Sequence, residues 1–307
     1  MVKSILITGG AGLVGSNFAR LAVERGLNVT VLDNCELGKR EYLKKLNINF
    51  VHSDLLFERN LKSIFLGHEL VLHFAAQGNV MQSLEDPISN FNANVTATLN
   101  VLQACREAKI ENFIFSSTGG ALMGNTAPPV NEFSLPDPIS PYGASKLASE
   151  GYIKAFSKSY GINCTIFRFG NVLGPNCRHK TGVINQFYKK IKNSEALQVF
   201  GNVTRDFIFV DDLNNAILNS FQKTTARNQI FHLASGVETP ITDIATKVEQ
   251  FFGRHNSKVE IKPGRLGEVE RNFADVKKAK QFLGLRNSKT TIDVVEEVLN
   301  YLESDEN

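Results

Sequence analysis

Gly9, Gly12 and Gly15 recur every third residue, and Asp33 stands further on at the end of the next apolar run. Glycines in a short turn allow the backbone to turn tightly, to approach a phosphate and to pack a helix on its strand. The free N–H groups of the following helix can then hold a pyrophosphate. An acid roughly 20 residues beyond such a turn can bond an adenosine ribose, and Asp33 lies near that offset. It favours a free 2′-hydroxyl, because a 2′-phosphate would meet a like charge, although Lys39 and Arg40 could serve such a phosphate. These residues point to dinucleotide binding, and to NAD over NADP.

Tyr142 and Lys146 form the second group, one helical step of four apart behind Ser140-Pro141. Ser140 can cap a helix and Pro141 suits its first turn, which predicts both side chains on one helical face. A free phenol has a pKa of ~10 and is a poor base at neutral pH. A lysine cation beside it, with the charge of an oxidised nicotinamide, is expected to favour phenolate. Such a tyrosine can exchange a proton with a substrate hydroxyl while hydride moves to the cofactor.

The elements around these groups alternate. Ile5-Leu6-Ile7 reads as a buried strand, a helix follows from roughly Val14 to Arg25, and Val29-Thr30-Val31-Leu32 reads as a second strand. Further strands are expected at 48–51, 69–74, 113–115 and 163–169, with Ile230-Phe231-His232-Leu233-Ala234 as the last. Asp86-Pro87 opens a long amphipathic helix reaching Ala108, and Tyr160-Gly161 ends the helix that carries Tyr142. Alternation of this kind predicts an α/β fold, a doubly wound parallel sheet of the Rossmann type. Residues 170–206 read as loop-rich, and helices are expected near 242–252, 275–283 and 292–303 as part of a smaller C-terminal lobe. The expected division is 1–168 with 211–234 for the dinucleotide-binding domain, and 169–210 with 235–307 for the substrate-binding lobe. His73 lies inside a strand and is expected to be a core histidine. Asp54 suits either a helix cap or the adenine end of a cofactor.

With 307 residues, 42% of them hydrophobic and 21% charged, the chain can bury a large core. A net charge of +3 is too small to argue for nucleic acid. No apolar stretch approaches the roughly 20 residues of a membrane span, and the first apolar run leads straight into the glycine turn instead of a signal sequence. Cys35, Cys105, Cys164 and Cys177 show no metal-ligand or paired spacing, so reduced thiols in a cytoplasm, and no metal, are expected.

Gly-x-x-Gly-x-x-Gly, Asp33 and the later Tyr-x-x-x-Lys resemble the extended short-chain dehydrogenase/reductases, and nearly the whole chain resembles the NAD-dependent nucleotide-sugar 4-epimerases among them. The resemblance implies a cofactor site formed by Gly9, Gly12, Leu13, Val14, Gly15, Asp33, Asn34, Gly38, Asp54, Leu55, Phe74, Ala75, Ala76, Gln77, Ser116, Tyr142, Lys146 and Phe169. It implies a nucleotide-diphosphate pocket of Asn171, the Gly182-Val183 turn, Val199-Phe200-Gly201, Arg205, Arg265 and Glu268. In that family the arginines hold the diphosphate, the Val-Phe-Gly backbone flanks the base and the final acid reaches the ribose. Guanidinium forks suit phosphate oxygens on general grounds too; an ion pair with Asp206 or Asp211 is the alternative for Arg205.

The resemblance also narrows the reaction. Related 4,6-dehydratases carry an Asp-Glu pair just after a threonine, and related decarboxylases a nearby Glu; this chain has Gly119 and Gly120 there. A bare hydroxyl with Tyr142 suits oxidation and re-reduction at sugar C4. Thr118 is expected to be that hydroxyl, with Ser117 as second choice, and Met123 stands where the family usually has tyrosine. The expected substrate is a nucleotide sugar, UDP-linked by resemblance, and the expected assembly a homodimer through the helix after Pro87 and the Tyr142 helix. A 4-ketoreductase, 2-epimerase or dehydratase, and a non-catalytic nucleotide-binding relative, are the competing readings.

Overall fold

Seven apolar segments pair into one parallel sheet in this computed structural model, which describes residues 2–254, 259–264 and 269–304. They are β1 (Ser4–Thr8), β2 (Asn28–Asp33), β3 (Asn49–His52), β4 (Leu70–His73), β5 (Asn112–Thr118), β6 (Asn163–Phe169) and β7 (Ile230–Leu233). Their order is β7-β6-β5-β4-β1-β2-β3, every neighbour parallel. Successive residues of β1 feed opposite faces: Ile5 and Ile7 pack with Phe18 and Val31, whereas Leu6 packs with Phe65, Val101 and Phe113. Both faces are covered, so the strands read as continuous apolar runs without alternation. Strand order reverses between β1 and β4, and the carboxyl ends of those strands are where an open α/β sheet receives a ligand.

The helix after Pro87 is interrupted. Asp86 caps its first segment, accepting from the Ser89 amide at 2.9 Å, and a π turn at Asn92–Thr96 then links Pro87–Phe91 to Ala97–Glu107. The reading of 170–206 as loop is corrected by a ten-residue helix, Val183–Lys192. Its buried Ile184, Phe187, Tyr188 and Ile191 fall at helical spacing and face the lobe, with the helices Ile241–Phe251 and Thr291–Ser304. Short strand pairs, Asn171–Leu173 with Phe207–Phe209 and Gln198–Phe200 with Glu260–Lys262, complete that lobe. On this separate apolar cluster we propose the division expected from the sequence, with Val276, Ala279 and Leu283 packing instead beside Phe231 at the sheet.

His73 sits in β4 with both ring nitrogens engaged, by Thr8 Oγ1 at 2.6 Å and Thr98 Oγ1 at 3.0 Å. Burial, then the charge of Lys146, pushes it down to about 3; burial, then Arg168, does the same to His232 in β7. Below about 6.5 both imidazoles are protonated in the unfolded chain but not in the native one, so unfolding takes up protons and stability falls as pH falls. Asp206, whose carboxyl burial pushes up, works in the opposite sense. The expected loss is therefore roughly 1.4–2.7 kcal/mol per pH unit. Urea unfolding at pH 6.5 and 5 should show a clearly lower midpoint at the second; equal midpoints would contradict neutral buried imidazoles.

Candidate active site

The glycine turn closes on β4. Gly9 has φ +70°, and a Cβ there would lie 2.4 Å from the Ala75 amide nitrogen, so the β1 turn and the residues after β4 meet backbone to backbone. A Cβ on Gly15 would lie 2.4 Å from the Gly9 carbonyl oxygen, which brings the helix Leu13–Glu24 down onto the turn. Gly12 caps that helix without a side-chain bond, leaving first-turn amides to face an anion. Asp33 Oδ2 accepts from the Ala11 amide at 2.9 Å and Oδ1 from the Cys35 amide at 2.8 Å. A carboxylate has roughly four acceptor positions, so capacity for ribose hydroxyls is left. The turn therefore fits a dinucleotide. Arg40 lies over the Phe50 ring at 4.6 Å, and Asp33 is the acid at the end of β2.

Around this cradle some expected residues present backbone instead of side chain. Leu13 is buried in the lobe's core, Val14 packs on the sheet's core and Leu55 on its other face. Asn34 Nδ2 donates to Asp54 Oδ2 at 2.8 Å, and Asp54 Oδ1 accepts from the Leu56 amide at 2.7 Å. Asp54 thus fastens a turn and Asn34 together. Gly38 packs against Ala11, and Phe74 stacks edge-on to Phe18 and near Phe169. Ala76 and Gln77 continue the loop from Ala75.

Tyr142 and Lys146 lie in the helix Pro141–Tyr160, where Ser140 Oγ accepts from the Gly143 amide at 3.2 Å as the sequence predicts. Gly143 lets the helix press against the Ala121 carbonyl. The Thr118 side chain lies close enough to the Tyr142 phenol to favour its charged form. Ser117 Oγ points away and donates to Glu150 Oε1 at 2.7 Å, which separates the two candidate hydroxyls. Lys146 is buried, donates from Nζ to the Ser116 carbonyl at 2.9 Å and lies 4.6 Å over the Phe115 ring. The expected lowering of the phenol is corrected for the protein alone: burial pushes Tyr142 up to about 12, offset in part by Thr118. Burial likewise pushes Lys146 down to about 7, opposed by Glu150. Burial sets the direction for the phenol in the protein alone, so a tuned phenol needs a positive charge such as that of an oxidised nicotinamide. Met123 is fully buried among Leu122 and Val130, an apolar position suited to a thioether.

Sequence reasoning missed Asn94. It lies in the π turn, accepts from the Gln77 amide at 2.9 Å, and donates to the Gln77 carbonyl and to Ser145 Oγ. Asn94 thereby ties the loop after β4 to the helix of Tyr142, between the equally buried Asn90 and Thr98, and its sequence neighbours carry no signal of that role. Gly78 was also missed: a Cβ there would lie 3.7 Å from the Tyr142 hydroxyl.

A groove of about 190 Å³ in the lobe is lined by Asn171, Val183, Val199, Phe200 and Arg205, with Gln186 and Phe187 from the unforeseen helix. The Val199 side chain is buried in the lobe's core, and Gly182 caps the helix that opens with Val183. Arg205 Nη1 donates to the Val269 carbonyl at 2.6 Å. The two acids weighed as its partners are held elsewhere: Asp206 accepts from the Ser235, Gly236 and Ala274 amides, and Asp211 meets Arg20 at 3.3 Å. Arg265 and Glu268 lie outside the described residues.

The chain belongs to the NAD-dependent epimerase/dehydratase family, whose model matches residues 5–234. NAD is the family's cofactor, in accord with the fit of the cradle. Among individual proteins, it is 30% identical over 290 residues to the UDP-glucose 4-epimerase of Mycolicibacterium smegmatis, covering 91% of this chain and 92% of that one. Among solved structures it resembles the UDP-glucose 4-epimerase of Thermotoga maritima with UDP-glucose (TM-score 0.91, 32% identity, 97% of this chain and 98% of that chain). It also resembles the UDP-glucuronic acid 4-epimerase of Bacillus cereus in complex with UDP-glucuronic acid and NAD (TM-score 0.91, 26% identity, 97% and 98%).

Proposed function

We propose that this protein epimerises a UDP-linked sugar at C4 through a transient 4-keto sugar. The feature that carries the reading is the placing of Thr118 at the buried Tyr142 phenol with Lys146 one helical step along, and of Gly119 and Gly120 where elimination or decarboxylation would need acids. Tyr142 takes the proton of the C4 hydroxyl, Thr118 holds that hydroxyl, and Lys146 supplies positive charge to the developing phenolate. Gly9, Gly12, Gly15 and Asp33 would hold NAD, and bound there it would supply reversible hydride acceptance at the sugar carbon. Asn171, Phe200 and Arg205 line the groove that would take the nucleotide. Turning of the ketone before reduction gives the other configuration, and Tyr142 returns the proton, so no net redox change occurs. Such a reaction on a soluble sugar nucleotide suits the cytoplasm, and among the described residues no helix is long and apolar enough to cross a membrane.

The test is product analysis with UDP-glucose, UDP-N-acetylglucosamine and UDP-glucuronate separately, without added NADH. Interconversion with the matching galacto-sugar supports the reading and names the preferred sugar. Turnover only when NADH is consumed would point to a ketoreductase, and unchanged substrates with NAD bound would sink the epimerase reading.

We also propose a homodimer through the Pro87 and Tyr142 helices. Ile88, Phe91 and Tyr152 are exposed on them at 70%, 49% and 44%. Exposed apolar side chains on two helices that pack together suit a contact between chains. Light scattering should give twice the chain mass, and Ile88→Asp with Phe91→Asp should give a monomer; a monomeric parent would contradict this.

A further inference from the structure

Glu150 stands one further step of four along the helix from Tyr142 and Lys146, so the three share one face. Its carboxylate is almost fully buried, at 2% exposure, and is held from two strands. Arg168 on β6 grips it bidentately, Nε to Oε1 at 2.9 Å and Nη2 to Oε2 at 2.8 Å. Ser117 on β5 donates to Oε1 at 2.7 Å. Ser117 precedes Thr118, and Arg168 precedes Phe169, so the carboxylate gathers the carboxyl ends of two strands under the helix that carries the phenol. A buried ion pair of this kind is weak evidence for stability, because desolvation consumes most of its attraction. Its place in line with the reactive pair calls for another account.

We propose that Glu150, anchored by Arg168 and Ser117, is a positioning residue that keeps the Lys146 ammonium charged and fixed beneath Tyr142. This rests on the reading of Tyr142 as the proton-exchanging group. The groups facing Lys146 leave Glu150 as its source of opposing charge: Tyr142 and Glu150 lie on its own helix, His73 on β4 is held neutral, and β5 offers the Ser116 carbonyl and the Phe115 ring. Burial depresses the lysine to about 7 and Glu150 works against that depression. Without the carboxylate, the lysine would shed its proton at a lower pH.

The test is the double substitution Glu150→Gln/Arg168→Met, which leaves no unpaired buried charge and so spares the fold. The Lys146 titration, followed by NMR of protein carrying ¹³C-labelled lysine and assigned against Lys146→Met, should move to lower pH by about one unit. The alkaline limb of kcat should move with it while KM stays put, and the single substitution Arg168→Lys, which leaves a cation opposite Glu150, should leave both where the parent has them. A folded double variant with an unmoved lysine titration would overturn the inference. Should that variant not fold, Ser117→Ala decides: a shift in the same direction supports the inference, and an unmoved titration overturns it. The NMR readout needs no substrate. Failure of the epimerase reading, seen as no turnover by the parent protein, is therefore distinguishable from failure of this one.

Discussion

Tyr142→Phe should lower turnover by on the order of 10²–10⁴-fold while leaving NAD bound and the thermal midpoint within a few degrees. The ring is retained, so its packing beside Gly78 and the cap at Ser140 are undisturbed, and only the hydroxyl that meets Thr118 is lost. Thr118→Ala should cost less, since it removes a neighbouring hydroxyl and not the proton carrier, whereas Ser117→Ala should act through Glu150. Because burial, offset in part by Thr118, pushes the phenol up to about 12, the parent's rate should fall as pH drops below the range in which the assembled site favours phenolate. A Phe variant retaining more than about a tenth of the rate would place the proton transfer elsewhere.

Gly9→Ala should abolish retention of NAD and lower stability by on the order of 3 kcal/mol. Two costs combine there: a left-handed backbone at φ +70° and a Cβ 2.4 Å from the Ala75 nitrogen. Relief requires β1 and β4 to part at their carboxyl ends, where the cofactor would lie. Gly26 provides the control, with φ +75° and nothing within 4 Å of an added Cβ. Gly26→Ala should cost only about 1 kcal/mol and leave NAD in place. Equal effects of the two substitutions in a thermal-shift and NAD-retention assay would show that strain, and not the close approach, governs this turn.

The parallel sheet was legible because a strand buried on both faces must be apolar along its length, as the cores of β1, β4 and β5 are. The glycine turn, Asp33, Ser140 and Tyr142–Lys146 were legible because each rests on local geometry: a tight turn, a strand end, a cap, one helical step. What escaped was set by contacts distant in sequence. Asn94 acts by bonding Gln77 and Ser145 across three segments, and nothing in its neighbours announces that. The helix Val183–Lys192 was hidden behind a glycine- and proline-rich approach, although its apolar residues recur at helical spacing. The upward push that burial gives Tyr142 in the protein alone was not legible, because the spacing reports the lysine and not the water lost around the phenol. Ser117 and Thr118 could not be told apart by sequence, since successive strand residues point to opposite faces and only the fold says which face holds the phenol.

The most direct test of the account follows deuterium placed at C4 of the UDP-sugar that turns over. Oxidation and re-reduction at that carbon predict that the epimerised product keeps the label at C4, with none lost to solvent and none gained from deuterated water. Washout of the label, or its loss with solvent hydrogen taken up at C4, would contradict a returned hydride and with it the central claim.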